Sequence, residues 1–318
     1  MQSEPDLQPF YLPASRPESE PGLPAAARVA LYLLCWVAAI LAAQTVAAVG
    51  WLRTGGSEAQ LTTSQLPPPQ FLWQLQWTAL LFTLGVTYFF VRVIDRRALR
   101  SLGFELVPKW WAHWALGFGI EAAHFSALFL IGVAAGWYRV TGTADLPYAA
   151  GILFVALVIA LPAAAVEEIT MRGYVHQALE RRYGVWPAVA VSSIVFALLH
   201  AFNPDGLKPL SIVGLLAAGV YLSVAYLATR QLWLPIAAHA AWNIAQGPFF
   251  GLPVSGMVMP ASVLETRIQG PELWTGGVFG PEAGLLVLLT TAAFTPILWH
   301  TARAWLTIPR GSTEPEHV

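Results

Sequence analysis

Three short stretches carry the residues whose types and spacing could do chemistry. Glu167-Glu168-Ile169-Thr170-Met171-Arg172 sets two carboxylates and a guanidinium close together. On a helix Glu168 and Arg172 stand four apart on one face and can pair, while Glu167 is rotated by about 100° and stays available for another task. Phe196-Ala197-Leu198-Leu199-His200, followed by Asn203-Pro204, is the second stretch. The third is His239-Ala240-Ala241-Trp242-Asn243, with its histidine and asparagine one turn apart on the same face. Carboxylates and imidazoles move protons in hydrolysis. Glu167, His200 and His239 also make a nitrogen and oxygen ligand set for a metal such as Zn2+.

These stretches lie in elements that must cross a membrane. Apolar residues make up 56% of the 318 and charged residues 11%, too few charges to cover a soluble surface. The apolar residues gather into runs near 29–50, 71–91, 112–136, 148–171, 185–202, 210–229, 232–248 and 283–302. Most reach or approach the ~20 residues that cross a hydrocarbon core of about 30 Å. They lack the alternation of barrel strands and are about twice as long as such strands need to be. The expected fold is an all-α polytopic bundle of about eight transmembrane helices. Gly117, Gly119, Pro162, Gly214, Gly219 and Pro296 fall inside the runs, where close packing or kinking uses them.

The positive residues orient the bundle. With the N-terminus inside, the cytoplasmic side receives Arg16, Arg28, Arg92, Arg96, Arg97, Arg100, Lys109, Arg181, Arg182, Arg230, Arg303 and Arg310. The other side receives only Arg53, Arg139, Lys208 and Arg267. This bias places both termini in the cytoplasm of a multi-pass protein of the cell membrane. Basic loops beside membrane helices are explained by topology and anionic lipid, not by nucleic acid. The first residues are polar, proline-rich and acidic, unlike the start of a signal peptide, so the first span is expected to stay as an anchor. Cys35 is the only cysteine, which excludes an intrachain disulfide and a cysteine-ligated cluster. Tryptophans such as Trp51, Trp110 and Trp186 lie near span ends as interfacial anchors. The organisation expected is a polar tail over 1–28, a single transmembrane domain over 29–302 with the reactive segments at 148–248, and a second tail over 303–318. The glycine-rich segment Gly276–Glu282 has no lysine after it and reads as a re-entrant or capping loop, not a phosphate cradle.

Ionisable residues inside spans usually face a cavity, a partner or a substrate path. Glu167 lies 14 residues from the inner boundary near 181 and His200 lies 15 from that near 185, which puts both at about 21–22 Å of depth. The two can meet. His239 starts shallower and needs a tilted or late-starting helix at Pro235 to join them. Glu121 and His124, three apart in the third span, share a face and are candidates to line the same cavity behind the reacting groups, or to form an unrelated polar pair.

The three motifs, in order and on separate helices, resemble the CPBP family of intramembrane proteases, also described as prenylated-protein-processing and bacteriocin-processing or immunity proteins. The resemblance covers about residues 148–248 and falls on Glu167, Glu168 and Arg172, on Phe196 and His200, and on His239 and Asn243. It implies hydrolysis of peptide bonds of a membrane-associated protein or peptide, and it admits both a metalloprotease and a glutamate-activated water. In such a site Glu167 and His200 hold and activate the water, and His239 and Asn243 stabilise the oxyanion. Glu168 and Arg172 orient, and Phe196 supports. A non-enzymatic membrane interaction or immunity protein, or a proton-coupled transporter, would keep similar polar groups. The topology carries its own test: the Arg92–Lys109 connection is expected to react with labels only from the cytoplasmic side, and labelling from outside intact cells would reverse the orientation.

Overall fold

The computed structural model describes residues 23–62, 67–107 and 109–306. The outer parts of the two expected tails, with Arg16 and Arg310, lie outside the described residues. Every apolar run forms a helix. These are α1 (Ala25–Arg53), α2 (Pro69–Phe89), α3 (Trp110–Ala134), α4 (Leu146–Glu168), α5 (Gln177–Tyr183), α6 (Val185–His200), α7 (Pro209–Thr229), α8 (Trp233–Ile244) and α9 (Leu285–Leu306). α1 starts inside the segment expected as a tail, and α9 runs past residue 302.

Among the described residues six helices are long and apolar enough to cross a membrane: α1, α2 with its extension to Ile94, α3, the continuous stretch Leu146–Tyr183, α7 and α9. α6 is apolar but shorter, and α8 has 12 residues before it widens into a π-helical turn at Ala245–Phe249. The chain is a multi-pass helical membrane protein. The helices are joined by a two-stranded antiparallel sheet, β1 (Tyr138–Thr143) on β2 (Leu264–Ile268), with Tyr138 opposite Ile268. It ties the connection after α3 to the one before α9.

Packing places α4 between α2 and α8, while α3 lies along α8 and α6 along α7. Close approach of α6 and α7 depends on Gly219, where an added Cβ would stand 2.8 Å from the Ser193 backbone. Small residues at such crossings are how membrane helices gain contact area when lipid offers no hydrophobic drive.

α4 does not end at Glu168. It continues as a π-helical segment, Ile169–His176, every residue of which is buried, and then as α5. A wider turn at this place changes the facing of everything after Glu168. Tyr174 stacks on Tyr32 of α1 with ring centroids 4.1 Å apart, and the Tyr32 hydroxyl bonds Thr87 of α2 at 2.8 Å. Below this layer the Asp95 side chain, 1% exposed, accepts from Arg28 at 2.6 Å and from Arg181 at 3.5 Å. One buried carboxylate therefore joins the start of α1, the end of α2 and α5.

Removing one partner of a buried ion network leaves the others uncompensated. Asp95→Ala is expected to cost roughly 3 kcal/mol, read as a lower midpoint of thermal unfolding in detergent. An unchanged midpoint would show that the arginines are held by lipid or solvent instead.

Candidate active site

The site starts from a fully buried charge. Arg172 and Glu168 side chains are both 0% exposed, and Arg172 Nη1 donates to Glu168 Oε1 at 2.8 Å and Oε2 at 3.0 Å. Arg172 Nη2 donates to the Gly219 carbonyl of α7 at 2.7 Å, and the guanidinium lies 5.2 Å from the Phe196 ring centre. A carboxylate, a carbonyl and an aromatic face thus surround a cation that could not stay in the bundle unpaired.

Glu168 uses its Oε1 a second time, 2.9 Å from His239 Nδ1. This bond reaches from α4 to α8 and turns the imidazole so that Nε2 points the other way. There Nε2 lies 3.9 Å from Glu167 Oε2. His200 arrives from α6 in a matching pose: its Nδ1 is 2.9 Å from the Phe196 carbonyl, and its Nε2 is 3.8 Å from the same Glu167 Oε2. A partner on one ring nitrogen fixes the orientation and function of the other. Glu167 Oε2 itself has no hydrogen-bond partner in the protein, though its side chain keeps 28% of its surface accessible.

How His239 gains this depth is visible in the backbone. Leu232 N, just before α8, donates to Gly103 O at 2.8 Å, and Gln177 Nε2 of α5 donates to Leu102 O at 2.9 Å. The 99–103 turn therefore clamps the start of α8 to the continuation of α4. The helix starts at Trp233, before Pro235, so the late start expected there is not what brings His239 to Glu167.

Glu167, His200, His239, Asn243 and Phe196 all line one cavity of about 300 Å³. Glu168 and Arg172 stand behind it. Glu121 and His124 line it as well, as do Trp242 of the third stretch and residues that no motif marked: Gln76, Tyr221, Ser255, Glu282 and Thr291. Glu282 belongs to the glycine-rich segment and accepts from Ser255 N at 2.9 Å, Ser255 Oγ at 3.1 Å and Gln246 Nε2. Asn203, just beyond His200, donates to Ser255 O at 3.0 Å. The connection after α8 thus folds back over the end of the cavity. Gly214 of α7 leaves room for the Glu282 backbone, which a Cβ would strike.

The donor types fit zinc: two imidazole Nε2 atoms with occupied Nδ1 atoms, and a carboxylate. Their spacing is that of groups around a small polar molecule, and among the described residues no three His, Cys, Asp or Glu side chains close tightly enough to grip an ion. As arranged, the three atoms suit a water held between an acceptor and two rings.

Residues 149–245, the segment carrying all three motifs, match the family described as Type II CAAX prenyl endopeptidase Rce1-like. This is the CPBP family that the motifs resemble. No curated protein and no solved structure matches the chain.

The two carboxylates have different surroundings, and substitution separates them. Glu168→Gln leaves Arg172 without its counter-charge and weakens the hold on His239. A loss of roughly 3 kcal/mol of stability is expected, measured as a lower unfolding midpoint in detergent. Retained stability would refute the supporting role of Glu168.

Proposed function

We propose that this chain, similar over residues 149–245 to a prenyl endopeptidase family, is an intramembrane endopeptidase that cleaves a membrane-associated protein or peptide by attack of a water activated by Glu167. The observation that supports it most is the Glu167 oxygen facing two imidazole Nε2 atoms at 3.8 and 3.9 Å, each ring held from behind by a different acceptor.

The roles follow from which atoms are free. A water bridging Glu167 and His200 gives its proton to Glu167 as its oxygen attacks the peptide carbonyl. Negative charge then develops on the carbonyl oxygen, where Asn243 supplies an amide N–H and His239, when doubly protonated, a ring N–H. In that form His239 and Arg172 balance Glu167 and Glu168, so the buried site carries no net charge. Glu167 returns the proton to the leaving amine, and the C–N bond breaks. Were Zn2+ bound, Glu167, His200 and His239 would hold it, and it would polarise the water or carbonyl. The cell membrane, with both termini in the cytoplasm, is the proposed location.

Glu167→Gln keeps the size and hydrogen-bonding atoms but cannot serve as base. Peptide turnover is expected to fall about 10²- to 10⁴-fold while the unfolding midpoint stays within a degree or two of wild type, roughly the scatter of such variants. Cleavage of a peptide library is assayed with both proteins, with metal content measured before and after chelation. Equal turnover by Glu167→Gln would refute the assignment. Full activity after complete metal removal would support the carboxylate-activated water, and loss restored by Zn2+ the metal route.

A further inference from the structure

Where α1 begins, α2 ends and α5 runs, three guanidiniums meet one carboxylate, and none of them lines the cavity that holds Glu167. Arg28, Arg97 and Arg181 lie within electrostatic reach of one another and of Asp95. Asp95 gives one oxygen to Arg28, through the 2.6 Å bond from Nη1. Its other oxygen stands 3.5 Å from Arg181 Nη2 and 4.0 Å from Arg97 Nη1. A guanidinium well held by a carboxylate sits about 2.7–2.9 Å from it, so two of the three cations are answered weakly. For Arg181 that long contact is the one hydrogen bond its side chain makes among the described residues. Arg97 Nη2 donates to Gln177 Oε1 and Ser101 O, which accept hydrogen bonds but carry no charge. Glu180, the acid next to Arg181, is committed to Arg230 at 2.7 Å. The chain around Asp95 adds only further cations, Arg92, Arg96 and Arg100. Three positive charges thus face one negative charge, on side chains that are 8, 21 and 18% exposed. Such an excess in a largely buried place is costly unless an anion offsets it.

Donors without partners belong to the same cluster. Arg28 Nε and Arg97 Nη1 have no hydrogen-bond partner, nor has the hydroxyl of Tyr174. Arg28 is more than nine-tenths buried and Tyr174 fully so, and Tyr174 lies within electrostatic reach of Asp95, Arg28 and Arg181. Buried polar atoms left in this way call for a ligand or another explanation. The charge and the donor types describe the ligand. A carboxylate brings one negative charge and two oxygens in one plane. A phosphate monoester brings close to two charges and three acceptor oxygens that point in different directions, which suits forked donors arriving from three segments.

We infer that Arg28, Arg97, Arg181 and Tyr174 form an anion site that takes a phosphate group at this end of the bundle. Asp95 holds Arg28 in place, Arg97 and Arg181 turn their free N–H groups to the phosphate oxygens, and the Tyr174 hydroxyl donates from the interior. Arg97 and Arg181 keep part of their surface accessible, so the cluster is open on their side. Because these are ends of membrane helices, the headgroup of an anionic lipid is one source of the phosphate. Free phosphate is the other. The inference is independent of the endopeptidase reading, since no residue of the site takes part in the proposed reaction.

The test uses the full chain in a neutral detergent and phosphate-free buffer, once phosphorus analysis shows that bound lipid has been exchanged away. Inorganic phosphate is one probe. Phosphatidic acid in the micelle is the other, compared with diacylglycerol, which differs from it only in lacking the phosphate. At least one probe is expected to bind and to raise the unfolding midpoint, with no such rise from sodium chloride at equal ionic strength. A response to inorganic phosphate shows that the free ion suffices, and a response to phosphatidic acid alone identifies a lipid headgroup. Arg181→Gln removes a cation that has one long bond. Without phosphate it should unfold no earlier than wild type, and its affinity for the effective probe should fall about tenfold or more. Tyr174→Phe, which removes one oxygen, should weaken binding about fivefold. No response to either probe, a response matched by diacylglycerol or chloride, or equal affinity in wild type and Arg181→Gln overturns the site. So does an Arg181→Gln that unfolds earlier or fails to fold without phosphate, because the arginine is then a packing strut rather than an excess charge.

Discussion

The buried pairing of Glu168 with Arg172 is the constraint from which the site is built. An arginine with no exposed surface inside a bundle has to be answered on all sides, and the answers come from three different helices: Glu168 on its own, the Gly219 carbonyl on α7 and the Phe196 ring on α6. Satisfying one charge thus draws α4, α6 and α7 together at one depth. Because Glu168 has a second bond to give, it also recruits His239 from α8. Four helices are thereby placed relative to one another before any reacting atom is considered.

A second set of contacts, toward the other end of the same stretch, keeps that geometry from drifting. Gln177 holds the 99–103 turn, which holds Leu232, and Arg97 Nη2 donates to Gln177 Oε1 at 2.9 Å. Asp95 gathers Arg28 and Arg181. These are arginines that the charge distribution assigned to the cytoplasmic side. The residues that read as orientation signals are also the ones that clamp the helix ends, so the charges behind the expected topology also pack the bundle. Burial lowers the proton affinity of Arg97 below its usual value, but the nearby Asp95 opposes this and the group remains a cation.

What could be read from sequence was whatever is local. Hydropathy marks the helices because each crosses or lines the apolar layer as a continuous run. The i to i+4 spacing marks the Glu168–Arg172 pair and the shared face of His239 and Asn243, since one turn of helix brings such residues together whatever surrounds them. The π-helical continuation from Ile169 to His176, which carries the Tyr174 ring stacked on Tyr32, gave no such signal because its residues are ordinary. Tyr221 and Glu282 were equally hidden. Nothing in the sequence around Tyr221 says that α7 would turn it into the cavity that holds Glu167, and the capping-loop reading of Gly276–Glu282 did not say what the loop would cap. Glu121 and His124 showed their pairing through spacing, but Thr290, which meets the other ring nitrogen, is 166 residues from His124.

Adjacent carboxylates with opposite duties follow from this arrangement. Along α4 a step of one residue turns the side chain by about 100°, enough to take Glu167 from the sealed interior, where Glu168 lies, to the cavity. Glu168 is saturated by Arg172 and His239, so a further proton or substrate atom has no room at it. Glu167 faces the same His239 from the opposite ring nitrogen and keeps an unbonded oxygen. The imidazole is thus gripped by one glutamate and presented to the other. Over this pair the Ser255 and Glu282 loop closes the end where α6 finishes, bonded to Asn203 and seated against Gly214. With that end covered, the fields of the two carboxylates and their cations act across a cavity walled by protein rather than bulk water, where each hydrogen bond counts for more. On the endopeptidase reading proposed above, a peptide would have to reach Glu167 by some route other than this covered end.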